Sequence, residues 1–453
     1  MKFGIFYEHQ LPRPWADDSE QQLINDALEQ VELADKLGFD VVWEVEHHFL
    51  EEYSHSSAPE VFLAACSQRA PNIRLGHGIV QTPPPFNHPA RVAERIAMLD
   101  LVSNGRVEFG TGESSSEAEL GGFNIDPVFK REMWQEGLEV AVRCMTETPF
   151  AGVDGKFVQM PPRNVVPKPV QKPHPPLWVA CSRRDTIHLA AQKGIGALTF
   201  AFIDPEEAEH WLGDYYATLE NECVPIGQAV NPNVACVTTF MCAPTEDEAI
   251  ARGIEGANFF GYSLAHFYVF GQHRPGVTDV WAEYLQKRDE VGYSAEVAAA
   301  AEQDRLGAKI AQDGITGLRG AIGTPDQIRD YLRRYEECGV DQIIFVSQAG
   351  KNKHEHIMES LELFGREVMP EFMDRDEQHV KNKAVRVEPI VEKAMARKLD
   401  DAPTMPEDYV MPAMPRAWAD RTGDETIKAM LEKIQEDRAA GRTDPAAGII
   451  GDN

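Results

Sequence analysis

Basic residues are scarce in this chain. Its 453 residues carry 44 Lys and Arg against 73 Asp and Glu, a formal charge of −29. A surface that acidic repels phosphate backbones and anionic headgroups over a Debye length, so neither nucleic acid nor membrane is expected as a partner. Cysteine is sparse too: Cys66, Cys144, Cys181, Cys223, Cys236, Cys242 and Cys338 are odd in number, scattered, and never spaced as a CxxC pair. They are expected as reduced core residues, with neither a disulfide framework nor a zinc site. No stretch approaches the roughly eighteen apolar residues of a membrane span. The start, MKFGIFYEHQLPRPW, turns polar too early for a signal peptide, so a cytoplasmic location is expected.

What is present is globular composition, 43% hydrophobic and 26% charged, with room for a large core. Short β-branched and aromatic runs alternate with segments of helical period. Strands are expected at Lys2 to Tyr7, Asp40 to Val45, Ile73 to Val80, Arg106 to Gly110, Leu177 to Cys181, Gly196 to Phe200, Val234 to Met241 and Gln342 to Ser347. Between the first two, Ile24, Ala27, Leu28, Val31 and Ala34 form one apolar stripe, with Ser19 and Gln22 as an expected capping box and Gly38 as the stop. Thr324, Pro325 and Asp326 open a later helix in cap-then-proline order. Strands separated by helices in this way close most economically into an α/β (β/α)8 TIM barrel, whose active site lies at the carboxyl ends of the strands.

Two stretches break the rhythm. Pro161 to Pro176 is proline-rich and extended, and Glu255 to Ile315 reads as an insertion before the last barrel units. The aromatics of that insertion, Phe259, Phe260, Tyr262, Phe267, Tyr268 and Phe270, suit either a packed helical core or a pocket wall. Beyond about residue 370 the pattern weakens into a polar extension, 371–453, either partly disordered or wrapped over a neighbouring subunit.

Three constellations could carry chemistry. In WEVEHHF, Glu46, His47 and His48 sit where the second strand runs out, and imidazoles there can take or hold a proton; surface histidines at a strand end are the alternative. Metal binding is disfavoured, because adjacent residues on an extended backbone point in opposite directions and no HxH or HxxxH motif supplies further ligands. In GRVEFGTGESSSEAELGGF the GxGxxG spacing fails, so its glycines either let the backbone approach a flat ligand or form a plain turn. In CSRRDTIHLAAQKG a strand ends and a helix begins, so Ser182, Arg183 or Arg184, Thr186 and the helix amides would make an anion site; a salt-bridged helix start is the alternative.

The MKFGIF start, GFDVVWEVEHHF at 38–49, HPARVAERIAMLDLVSNGRVEFGTG at 88–112 and KPVQKPHPPLWVA at 168–180 together resemble the bacterial luciferase-like flavin-dependent monooxygenases, over roughly residues 1–370. The wording is most similar to the limonene monooxygenase branch. The resemblance implies a (β/α)8 fold, reduced FMN from a separate NAD(P)H:flavin reductase, O2 activation as a flavin C4a-hydroperoxide, and a homodimer. It implies His47 as catalytic acid/base flanked by Glu46 and His48, and a non-proline cis peptide beneath the flavin at Gly78 and Ile79. The flavin phosphate pocket then maps onto Ser182, Arg183 and Thr186. Gly112 replaces the family's reactive cysteine and Glu113 its phosphate-binding arginine, so light emission is not expected and phosphate binding leans on 182–186 and Arg131. The 255–315 segment is the expected lid, with His9, Trp15, Phe259 and Phe267 lining a mouth for an apolar substrate such as a terpene, aldehyde or ketone. An F420-dependent hydride-transfer enzyme of the same fold and a non-catalytic flavin-binding partner subunit are the rivals; the EHHF motif argues against both.

Overall fold

The computed structural model describes residues 1–199, 203, 205–288, 308–311, 314–399 and 403–441. Its eight barrel strands are β1 (Lys2–Tyr7), β2 (Val41–Glu44), β3 (Arg74–His77), β4 (Val107–Thr111), β5 (Leu177–Cys181), β6 (Gly196–Thr199), β7 (Val234–Cys242) and β8 (Gln342–Val346). Every neighbouring pair is parallel. The ring closes through Ile5 beside Val42, Leu75 beside Val107, Leu198 beside Ala235, and Ile344 between Val237 and Gly4. All eight expected strands are therefore present, although Phe200 lies outside the described residues. A short extra strand, Ala321–Gly323, extends the sheet by pairing with the end of β7.

Period-2 alternation sorts the strand side chains. Phe3 faces outward, with ring centroids 5.2 Å from Phe364 and 5.5 Å from Phe372. Gly4 and Phe6 face the axis. There Trp43 and Trp178 meet edge to face at 5.5 Å and plug the barrel. The indoles fit because the flanking strands carry glycine: a Cβ on Gly76 would lie 2.3 Å from Trp43 and one on Gly196 2.4 Å from Trp178. Their ring N–H groups donate to Gln342 and Glu108, so neither indole donor is stranded. The barrel interior is a packed core rather than a pore.

The helices follow from local signals. Helix α1 (Ser19–Leu37) ends at Gly38 in the left-handed region, as expected. The expected capping box does not form: Ser19 is already helical, its hydroxyl accepts from the Ala16 amide, and the Gln22 side chain turns to Asp26. Thr324, by contrast, caps Pro325–Cys338 with reciprocal bonds to Gln327. Helices α2 (Pro59–Arg69), α3 (Pro89–Val102), α4 (Glu117–Gly122), α5 (Lys130–Thr146), α6 (Arg184–Gln192) and α7 (Pro205–Asn221) pack between the strands.

After β7 comes α8 (Glu246–Ala265), so the expected insertion start at Glu255 falls inside a helix. A π-helical turn (His266–Phe270) and α9 (Val280–Lys287) continue it. Phe259 and Tyr262 pack with Val280, Trp281 and Tyr284 into a small separate core. Glu52, from the loop after β2, accepts the Val280 amide at 2.6 Å and the Trp281 amide at 3.1 Å, tying this segment to the barrel rim.

The expected boundary at 370/371 is displaced. The compact unit runs to Ala402, because a long helix, Met369–Ala396, packs beneath the amino ends of the strands. Phe372 is fully buried there, and Asp376 receives the N-terminal ammonium at 2.8 Å. Burying that phenyl ring alone contributes about 2 to 3 kcal/mol, a term invisible in a segment whose average composition is polar. A cavity of about 660 Å³ lies between this helix and the strand starts, lined by Trp43, Trp178 and Gln342, at the end opposite His47. The described residues of the remaining unit, Pro403–Asn453, include the helices Met414–Thr422 and Glu425–Ala439. No helix among the described residues is long and apolar enough to cross a membrane.

Candidate active site

Past the end of β2 the alternation continues for one more step. Val45 points inward against Gly78, and His47 follows it at the top of the barrel. The ring of His47 is held from both sides: Nδ1 is 3.0 Å from Oε1 of Glu119 in α4, and Nε2 is 3.6 Å from Oε2 of Glu8, which follows β1. The Tyr268 hydroxyl, on the π-helical turn, lies 3.5 Å from Nδ1. Burial opposes a charge on this imidazole, but Glu8 and Glu119 together outweigh it and raise its pKa to about 9. Burial pushes the Glu8 carboxyl up to about 7, against the pull of His47 and the Tyr53 hydroxyl. For Glu119 burial is overcome by His47, the Ser114 hydroxyl and the His48 amide, and its pKa is lowered.

Glu46 and His48 face the other way, as adjacency on an extended backbone requires. His48 Nε2 is 3.0 Å from Glu46, and its ring sits among Phe86, Phe123 and Phe49. Glu46 also accepts from the Gln81 amide and the Asn87 side chain, both at 2.8 Å, and so clamps the chain beyond β3. Only His47 of this trio therefore presents itself to the interior of the barrel mouth.

The expected cis peptide at Gly78 and Ile79 is absent. Among the described residues the cis bonds all precede proline, where the preference for trans is smallest. The glycines of β4 serve backbone-to-backbone contact. A Cβ on Gly110 would lie 2.1 Å from the His77 carbonyl, and Gly112 bridges to Gln81. The Gln81 Oε1 is buried without a partner, 3.7 Å from where a Gly112 Cβ would sit, which leaves an acceptor for a ligand N–H between the ends of β3 and β4.

A second cluster lies at the start of α6. Arg131 grips Glu113 with two bonds of 2.6 and 2.8 Å, and Lys130 reaches Ser115 at 3.0 Å and Glu113 at 3.6 Å. Arg184 is taken by Asp214 and Arg183 lies 3.5 Å from Asp185; both arginines and Ser182 are exposed. The Thr186 hydroxyl is spent on its own helix, donating to the Arg183 carbonyl at 2.6 Å, so its expected part in anion binding is replaced by capping. With Arg183, Ser182, Lys130 and the amides of the first turn, the donor set fits a phosphate monoester.

The expected mouth residues are rearranged. His9 turns outward into the helical layer, 3.1 Å from Glu44 and edge-on to Phe62, because its strand parity is that of Tyr7. Trp15 is stacked under Arg13 on the outer lip and 37% exposed. Phe259 belongs to the small core of α8 and α9 rather than to a pocket wall. Phe267 packs on His266 and His273, and its neighbour Tyr268 is the residue that reaches His47. Sequence reasoning missed Glu8, Glu119, Ser114 and Lys130, and gave Tyr268 only as one of the insertion's aromatics, for a packed core or a pocket wall. For Glu8 a signal existed, since it follows a strand just as His47 does.

The model of the luciferase-like monooxygenases matches residues 1–342. The chain belongs to this family. It is 25% identical over 395 residues to the oxygenase component of a flavin-dependent trigonelline monooxygenase from Acinetobacter baylyi, covering 85% of this chain and 100% of that one. To limonene 1,2-monooxygenase of Rhodococcus erythropolis it is 28% identical over 346 residues, 74% of this chain and 77% of that enzyme. The crystal structure of monooxygenase RslO1 from Streptomyces bottropensis superposes with a TM-score of 0.63 at 26% identity, over 82% of this chain and all of that one. The barrel is thus that of a luciferase-like monooxygenase.

Proposed function

We propose that this monooxygenase is an oxygenase component that takes reduced FMN from a separate NAD(P)H:flavin reductase and inserts one oxygen atom of O2 into an apolar organic substrate of terpene, aldehyde or ketone size. The observation that carries the reading is His47, held between two carboxylates at the carboxyl end of the barrel. When bound, reduced FMN would supply the electrons and the activation of O2. The chain's own residues do the rest. Ser182, Arg183, Lys130 and the α6 amides hold the phosphate, and Gln81 offers an acceptor between β3 and β4. With a pKa of about 9, His47 is protonated at neutral pH and acts as a proton donor toward a developing oxyanion.

The α8–π-helix–α9 segment, anchored on Glu52, sets Tyr268 over His47 and keeps water from the site. A homodimer in the cytoplasm belongs to the same reading, with the exposed Val410, Met411, Met414 and Trp418 available for contact. The test combines the protein with FMN, NADH and a generic flavin reductase, and screens terpenes, aldehydes and ketones by mass spectrometry for a gain of one oxygen atom. His47→Ala should keep flavin binding and lose product about 100-fold. Failure of the native protein to take up reduced FMN under anaerobic conditions would falsify the reading.

A further inference from the structure

Glu8 takes no part in the flavin or phosphate contacts, yet it is 2% exposed and its Oε2 has no hydrogen-bond partner among the described residues. That oxygen lies 3.6 Å from Nε2 of His47, on the side of the ring opposite Glu119. Its other oxygen accepts from the Tyr53 hydroxyl at 3.0 Å, and its backbone carbonyl accepts from Ser54 at 2.7 Å. These two bonds fix the carboxyl in place from the loop after β2. A buried carboxyl with one oxygen aimed at an imidazole nitrogen would be costly to keep unless that nitrogen carries a proton.

From this geometry we infer that Glu8 is a positioning residue for the proposed proton donor: it faces Nε2 while Glu119 faces Nδ1, so that both ring nitrogens of His47 hold protons and the ring presents a single orientation to the site. The inference rests on the role proposed for His47, and it adds the residue that sets that role. The groups facing His47 are Glu8 beyond β1, Glu119 in α4, Tyr53 in the loop after β2 and Tyr268 on the π-helical turn, with Glu46 adjacent in sequence. Both tyrosines are pushed well above their ordinary range by burial, so they stay neutral. Glu8 and Glu119 are therefore the carboxylates that flank the ring. The charge of Glu8 acts through His47 and requires no contact with substrate.

The experiment reads His47 itself. The full-length protein is labelled at its histidine rings, the His47 resonance is assigned by its loss in His47→Gln, and its titration is followed by NMR in the native protein, Glu8→Gln and Glu8→Asp. Glutamine keeps an oxygen for Tyr53 but removes the charge, so the His47 pKa should fall by about one unit or more. Aspartate keeps the charge but draws it back, so the shift should be smaller. It also gives the reading if the glutamine variant does not fold. A purely structural role would leave the titration in place, and a His47 pKa unmoved in these variants overturns the inference. Because this readout needs neither flavin nor turnover, it is separate from the proposed function: an active His47→Ala enzyme would sink that reading while leaving the titration result intact.

Discussion

Nδ1 of His47 lies 3.0 Å from Oε1 of Glu119, although the two residues are 72 positions apart, one just beyond β2 and the other in the helix that follows β4. Glu119 holds this place with three further constraints: the His48 amide and the Ser114 hydroxyl bond to it, and helix α4 carries it. An imidazole gripped this way has one orientation, with Nδ1 facing Glu119 and Nε2 facing Glu8.

Glu119→Gln keeps the shape and removes the charge. We expect oxygenation to fall about 100-fold, the melting temperature at neutral pH to drop as a buried charge pair is lost, and the pH at which activity is lost to move toward neutrality as His47 loses one of its two carboxylates. Rates from pH 6 to 10 in the reductase-coupled assay check this, and an unchanged alkaline limb would contradict it.

Stability should decline as pH rises through the neutral range. His47 titrates near 6.5 when unfolded and at about 9 when folded, so its stabilising share is complete below 6.5 and gone above about 9. Glu8 runs the same way between its ordinary 4.5 and about 7, because the folded state prefers the protonated acid. The contribution of Glu119, whose folded pKa is lowered, is present above the ordinary 4.5 and fades only in acid, as pH falls through that folded pKa. Thermal midpoints should therefore drop between pH 6.5 and 9, and His47→Gln should flatten that drop.

Glu113 competes for the cation that an anion would use, since it binds Arg131 through both carboxylate oxygens. Glu113→Gln should release Arg131 and lower the dissociation constant for FMN by about tenfold, worth roughly 1.4 kcal/mol, by fluorescence-quenching titration. Weaker binding in this variant would place the phosphate elsewhere.

Two glycines give opposite predictions from the same substitution. Gly110→Ala drives a methyl group into the His77 carbonyl and should destabilise by about 3 kcal/mol. Gly213→Ala, in α7 with nothing within 4 Å, should stabilise by about 1 kcal/mol. Denaturant titrations of the pair read both.

The alternation of strand and helix was legible because its signals are local: the strand runs, the stop at Gly38 and the Thr324 cap all depend on neighbours a few residues away. Strand parity also separated His47 from His48 before any coordinate was known. The signal failed where a contact comes from far along the chain. The 369–396 helix reads as polar although Phe372 and Met369 are buried under the barrel; Ser19 and His9 differ from expectation for local reasons instead, since the Ala16 amide occupies the Ser19 hydroxyl and His9 keeps the outward parity of Tyr7.

The chain's order of residues by itself pointed to an eight-stranded parallel barrel and placed Glu46, His47 and His48 where its second strand runs out, because period and parity are properties of consecutive residues; the choice of His47 among them came from the family resemblance. Only the tertiary structure decided that Glu8, Glu119 and Tyr268 surround that imidazole. Their loops are brought together by closure of the sheet, and the charge state of His47 is set by those distances rather than by its sequence neighbours.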